Sequence, residues 1–166
     1  VLFRSVSNFL KQTKVQVAVN ANFFTPGNTS QEFIPMSVNG VQISRGEVVS
    51  RTVGLDSDVL LAFTSNNVPV FLPNNAPPGT NLTGLFTAVS GHYTLVENGV
   101  NVGNDATSPI RGENPRTAFG ISRDNRYLYL MTIDGRPPSY SVGAIDEDTG
   151  AWLLHFGAWN GLNMDG

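Results

Sequence analysis

Two stretches of the chain end an apolar run on an aspartate followed by glycine: Leu128-Tyr129-Leu130-Met131-Thr132-Ile133-Asp134-Gly135 and Leu162-Asn163-Met164-Asp165-Gly166. If each run is a strand, its carboxylate stands at the mouth of a sheet and the glycine keeps the following turn open to a ligand. Taken singly, Asp-Gly reads as an ordinary β-turn. Taken together, with Arg136 directly after the first, the two point to a site. Arg116, in Asn114-Pro115-Arg116-Thr117, stands where a strand should begin. Two guanidiniums near two carboxylates can hold a phosphate bidentately while a carboxylate acts on a neighbouring bond. On the same residues, either arginine can equally be half of a structural ion pair on a loop. The amides of Asn20 and Asn22, in Asn20-Ala21-Asn22-Phe23-Phe24, can face a ligand or bond their own turn.

The elements that would carry these residues read as strands more often than helices. Seventeen Gly and ten Pro, with Lys and Glu scarce, favour strands and turns. A first helix is predicted near Asn8 to Lys14, capped by Ser5 or Ser7, and the alternating run Val15 to Val19 reads as a strand ending at Asn20. Residues 25–37 form a loop, and Asn39-Gly40 signals a hairpin beside an apolar–polar pattern from Val38 to Ser44. Strands follow at Val59 to Thr64 and Val68 to Leu72, with a surface loop from Pro73 to Thr83. A short hairpin turns at Asn98-Gly99. Thr117 to Ser122 and Tyr127 to Ile133 pair across Arg123 to Arg126, the second being the most apolar strand of the chain. A last helix runs from Asp146 to Phe156, with acid at its start, Gly157 as its stop, and Trp152, Leu153 and Phe156 at helical spacing. Trp152 is expected in the core on that stripe, although Trp152 and Trp159 are also candidate sugar platforms. Ala158 to Met164 returns as a turn and a short strand.

Length and composition exclude several classes. At 166 residues the chain is expected to be a single domain, and its first residue, Val1, and its last, Gly166, suggest truncation at both ends. A formal charge of −3 with only 14% charged residues offers no basic face for nucleic acid. The absence of cysteine removes disulfides, thiol nucleophiles and cysteine-based metal sites. No apolar run nears the ~20 residues of a spanning helix. No cofactor is expected. The metal question stays open: Asp56-Ser57-Asp58 and Asn101 to Asp105 carry oxygens that suit calcium, but neither has EF-hand spacing. His92 and His155 form no metal motif.

The succession Ala18-Val19-Asn20-Ala21-Asn22-Phe23-Phe24, Ser90-Gly91, Pro115-Arg116-Thr117-Ala118-Phe119-Gly120-Ile121-Ser122, Ile133-Asp134-Gly135-Arg136 with Ser141-Val142-Gly143-Ala144, and Gly157-Ala158-Trp159-Asn160-Gly161-Leu162-Asn163-Met164-Asp165-Gly166 resembles the phosphodiester glycosidase family. That family includes a lysosomal hydrolase that removes N-acetylglucosamine from a mannose phosphodiester, and many bacterial relatives. The resemblance runs in order from about Phe9 to the last residue. It implies an α+β, sheet-rich domain with a few helices whose polar motifs converge on one pocket, acting extracytoplasmically on a small-molecule or glycan phosphodiester. By the same resemblance, Asp134, Asp165 and Arg116 are catalytic. Asn20, Arg136, Gly135, Gly91, Asn163 and Gly166 are expected to bind substrate, and His92 is expected to join them from its place directly after Ser90-Gly91.

The implied chemistry has the arginines holding phosphodiester oxygens while Asp134 and Asp165 divide the roles of nucleophile or base and positioning group. A phosphate is already a good leaving group, which lessens the need for a general acid. The chain departs from the family in three places: Ala21-Asn22 follows the first Asn where relatives have Gly-Gly, Asn160 replaces an acidic residue, and the sequence stops at Gly166 where relatives continue with glycines and a serine. The competing class is a non-catalytic glycan- or envelope-binding module of the same fold. A pure binder has little reason to keep both carboxylates beside a phosphate site.

Overall fold

The computed structural model describes residues 5–25, 34–52, 59–72, 79–108, 110–137 and 139–165. Two five-stranded antiparallel sheets carry most of it. In the first, β3 (Gly40–Ser44), β4 (Glu47–Thr52), β5 (Val59–Thr64), β6 (Pro69–Leu72) and β7 (Leu85–Gly91) lie in the order β4-β3-β7-β5-β6. In the second, β8 (Tyr93–Glu97), β9 (Val100–Asn101), β10 (Arg116–Ser122), β11 (Leu128–Ile133) and β12 (Ala158–Met164) lie in the order β11-β10-β12-β8-β9. A two-stranded ribbon pairs β1 (Phe24–Thr25) with β2 (Ser37–Val38). The helices α1 (Val6–Thr13) and α2 (Asp146–Phe156) complete the described elements. This is the expected sheet-rich α+β class.

Alternation along the strands builds the layers. Phe119 and Ile121 of β10 and Leu162 and Met164 of β12 meet Val59 and Leu61 of β5, so the two sheets pack face to face on one apolar cluster. The opposite faces of β10 and β12 carry Ala118 and Gly161, and α2 lies there, burying Leu153 against Leu95, Val96, Ala118 and Ala158. A methyl at Gly161 would stand 2.7 Å from Leu153 Cδ1, so glycine is what lets the helix come this close. β10 is buried at all seven positions because it has a sheet on one side and a helix on the other.

Several boundaries follow from local chemistry. Ser5 caps α1 by accepting from the Asn8 amide at 3.3 Å, and Lys14 ends it at φ 56°. The Asn98-Gly99 hairpin forms with φ 52° and 77°, the left-handed pair that a two-residue turn requires. α2 spans its predicted range and stops at Gly157, φ 102°.

Other expectations fail for physical reasons. Val15 to Val19 joins no ladder among the described residues: Val15 and Val17 are exposed, and of this run only Val19 reaches the inter-sheet cluster. Asn39-Gly40 is not a hairpin turn. It separates a strand paired with β1 from one paired with β4, and the β3–β4 turn falls at Arg45-Gly46, φ 52° and 81°. β11 is apolar but lies at a sheet edge, with Leu128 and Leu130 exposed. Trp152 is 51% exposed because the buried face of α2 runs through Asp146, Thr149, Gly150 and Leu153. β4 and β7 were not anticipated. The candidate calcium ligands at Asp56 to Asp58 lie outside the described residues, as does most of the loop predicted at Pro73 to Thr83.

Candidate functional site

Antiparallel pairing brings the flagged residues to one end of the second sheet. Arg116 opens β10 opposite Ile133 of β11, and Thr117 pairs with Met164 of β12. Asp134 and Asp165, one residue beyond those partners, therefore flank the same strand end. Gly91 closes β7 in the other sheet, and the His92 amide that follows donates to the Asn163 carbonyl at 3.1 Å, stitching the sheets together there. Gly91 is required at this seam: a methyl on it would lie 2.2 Å from the Asn163 carbonyl oxygen.

Beneath the rim lies a buried polar cluster. Arg116, 2% exposed, points to the N-terminus of α2, where its Nη1 meets Asp146 Oδ1 at 3.1 Å. Its Nε donates to the Ala144 carbonyl at 2.9 Å, and its Nη2 to the carbonyls of Ile110 and Gly112, each at 3.1 Å. This guanidinium thus holds the 110–116 and 144–146 segments together. Burial pushes the Asp146 carboxyl above its usual range, with Asp105 and Glu147 adding to it, while the Ser108 hydroxyl and Arg116 act the other way. The sequence shows acid at this helix start, but the pairing with an arginine thirty positions earlier has no local signal.

His92 is also buried. Asn163 Nδ2 donates to the Met164 carbonyl at 3.1 Å, which fixes the orientation of the amide, and the same nitrogen stands 3.1 Å from His92 Nδ1. Nδ1 is therefore the acceptor, and the ring carries its proton on Nε2. Desolvation, aided by the positive charge of Arg116, lowers the His92 pKa from 6.5 to about 4, so the imidazole is neutral at physiological pH. Phe23 packs edge-to-face on it at 4.9 Å. His92 Nε2 and Asn163 Oδ1 are buried without a hydrogen-bond partner among the described residues.

The rim is open. Asp134 is exposed, and its carbonyl accepts from the Ser141 hydroxyl at 2.5 Å. Gly135 lies against Pro115, where a methyl would come within 2.5 Å of the backbone nitrogen. Arg136 is exposed in a left-handed conformation, φ 73°. Asp165 is half-buried, and its amide donates to the Ala21 carbonyl at 2.9 Å, tying the Ala18-to-Phe24 segment to this end. Asn20, one residue earlier, is exposed, whereas Asn22 gives its amide to the carbonyls of Asn39 and Val41. The structure thus joins Gly91, His92, Arg116 and Asn163 in the interior and sets Asp134, Gly135 and Asp165 around them. Gly166 lies outside the described residues. Among the described residues no group of three or more His, Asp or Glu could hold a metal ion, and no helix is long and apolar enough to cross a membrane.

Residues 13–166 match the model of the phosphodiester glycosidase family. No curated protein matches the chain. Among solved structures, it is similar to the zebrafish N-acetylglucosamine-1-phosphodiester alpha-N-acetylglucosaminidase catalytic domain auto-inhibited by its pro-peptide, at TM-score 0.67 and 19% identity over 89% of this chain and 49% of that one. It is also similar to a hypothetical protein from Synechocystis, at TM-score 0.61 and 13% identity over 97% of this chain and 48% of that one. The chain spans about half the length of these structures, which share its fold. With a family match that covers nearly the whole sequence, the chain belongs to the phosphodiester glycosidase family.

Proposed function

We propose that this chain carries the catalytic site of an extracytoplasmic hydrolase that cleaves the bond between a sugar anomeric carbon and a phosphodiester, of the N-acetylglucosamine-1-phosphodiester kind. The supporting observation is the convergence of Asp134-Gly135-Arg136, Arg116 and Asp165 on one sheet end from three adjacent strands. The exposed Arg136 supplies a guanidinium fork for the phosphodiester oxygens. Arg116, bound to Asp146 and three carbonyls, supports the site by its positive charge and by fixing the loops around it. Asp134 and Asp165 share the roles of nucleophile or base and positioning group, and the departing phosphate needs little protonation.

The test is sugar release from UDP-sugars and from methyl esters of sugar 1-phosphates, for the chain and for its Asp134→Asn and Asp165→Asn variants. Release that falls by about 100-fold or more in both variants, with thermal midpoints kept, supports the reading. Binding of these compounds without release by the unaltered chain means the site is a non-catalytic phosphodiester-binding one.

A further inference from the structure

A cleft of about 410 Å³ runs between α2 and the edge strand β11. Asp148, Trp152 and Phe156 line it from the helix, at four-residue spacing on one face, and Thr132 and Ile133 line it from the strand. The two aromatic rings are near-parallel at 25°, with centroids 6.0 Å apart, and the His155 ring stands edge-on to Trp152 at 5.6 Å. Both rings are more than half exposed. The other tryptophan offers no such surface: Arg123 lies 4.6 Å over the Trp159 ring, and Gly99 is tight against it.

We propose that this cleft is a sugar subsite, in which the Trp152 and Phe156 rings receive the apolar C–H face of a pyranose while Asp148 bonds its hydroxyls. An open aromatic platform flanked by a carboxylate acceptor suits an amphipathic ring, because its apolar face and its hydroxyls each find a match. Two of the residues that line the cleft adjoin the candidate active site. Ile133 pairs with Arg116 and precedes Asp134, and Ala144, another lining residue, accepts from Arg116 Nε. A glycan whose scissile bond lies at the Asp134 rim would extend its next sugar along α2. The identity of this sugar as part of the substrate rests on the proposed glycosidase function, whereas its binding does not.

The test follows tryptophan fluorescence of the chain during titration with N-acetylglucosamine, diacetylchitobiose and maltose, beside the Trp152→Ala, Phe156→Ala and Asp148→Asn variants. A Trp159→Phe control confirms that Trp152 carries the signal. Saturable binding of at least one sugar, with a Kd on the order of 1 mM, weakened about tenfold or more in Phe156→Ala and Asp148→Asn, is expected. Where the chain hydrolyses a glycan phosphodiester, Trp152→Ala raises KM about tenfold and leaves kcat unchanged. Sugar binding at the cleft by a chain that releases no sugar from UDP-sugars or sugar 1-phosphate methyl esters would overturn the enzymatic reading and keep this one. No saturable response to any of the three sugars, or hydrolysis whose KM ignores all three variants, overturns the subsite.

Discussion

The Arg116 guanidinium and the Asp146 carboxylate meet at 3.1 Å with their side chains 2% and 0% exposed, joining the first residue of β10 to the first residue of α2. An arginine cannot shed its charge, so Asp146→Asn leaves a buried cation without its counter-ion. The expected loss is about 3–5 kcal/mol in urea unfolding at pH 7. A loss below about 1 kcal/mol would reduce the pair to the value of a surface bridge and remove it as the link between helix and sheet.

His92 makes the fold acid-sensitive over a defined window. Its pKa is 6.5 as the unperturbed group and about 4 in the folded chain, so between those values the unfolded chain binds a proton that the folded one refuses. Stability from this group is therefore undiminished above pH 6.5, falls as the pH drops towards 4, and is flat below. The span corresponds to about 3 kcal/mol. His92→Gln, which has no titrating ring, should lose about that much less than the unaltered chain between pH 7 and 4. The raised pKa of Asp146 has the opposite slope, but it is present in both proteins and cancels in the comparison. Equal losses in the two proteins would sink the assignment of His92 as a buried neutral ring.

The sequence made strand ends more legible than strand partners. Apolar runs ending in Asp-Gly marked Asp134 and Asp165 because that pattern is local, and α2 could be read from its acidic start and its Gly157 stop. The core face of α2 could not: Trp152 and Phe156 share helical spacing with Leu153, and only the position of the sheet decides that Leu153 is inside. Val15 to Val19 alternates like a strand yet has no ladder, since pairing is a property of two segments. The same limit hid β7, and with it the reason for Gly91, whose contact with Asn163 spans 72 positions.

Arg136 sits at φ 73°, a conformation that costs a residue with a side chain about 1 kcal/mol. Arg136→Gly removes that strain, and the greater freedom of glycine in the unfolded chain offsets part of the gain. Stability should stay level or rise by up to about 1 kcal/mol. Catalysis should move the other way. Loss of a charge-assisted contact worth about 1.5–3 kcal/mol raises KM for the phosphodiester by about 10- to 100-fold. Arg136→Ala gives the control, with the same KM effect and the strain retained. If Arg136→Gly keeps the original KM, the guanidinium does not hold the substrate.

Two adjacent changes separate the seam between the sheets from the site it supports. Ser90 Oγ accepts from the Val41 amide at 2.9 Å and donates to the Val41 carbonyl at 3.0 Å, so its bonds lie inside the first sheet. Ser90→Ala takes the hydroxyl acceptor from the buried Val41 amide, at about 1–3 kcal/mol, while the Val41 carbonyl keeps its bond from Asn22, and β12 is not displaced. Gly91→Ala puts a methyl 2.2 Å from the Asn163 carbonyl oxygen and 3.0 Å from Leu162 Cδ1. A backbone oxygen cannot swing aside, so β7 and β12 must part. The bond from the His92 amide to Asn163 breaks with them. Overpacking of this kind costs about 1–3 kcal/mol, much the same as the serine change. Only Gly91→Ala moves Asn163 relative to His92, however, and with it the Asp165 that follows the end of β12. Matched losses of stability with kcat/KM lowered in Gly91→Ala alone are therefore expected. An equal fall in both variants would mean that activity tracks overall stability, and that the Gly91–Asn163 contact has no particular hold on the site.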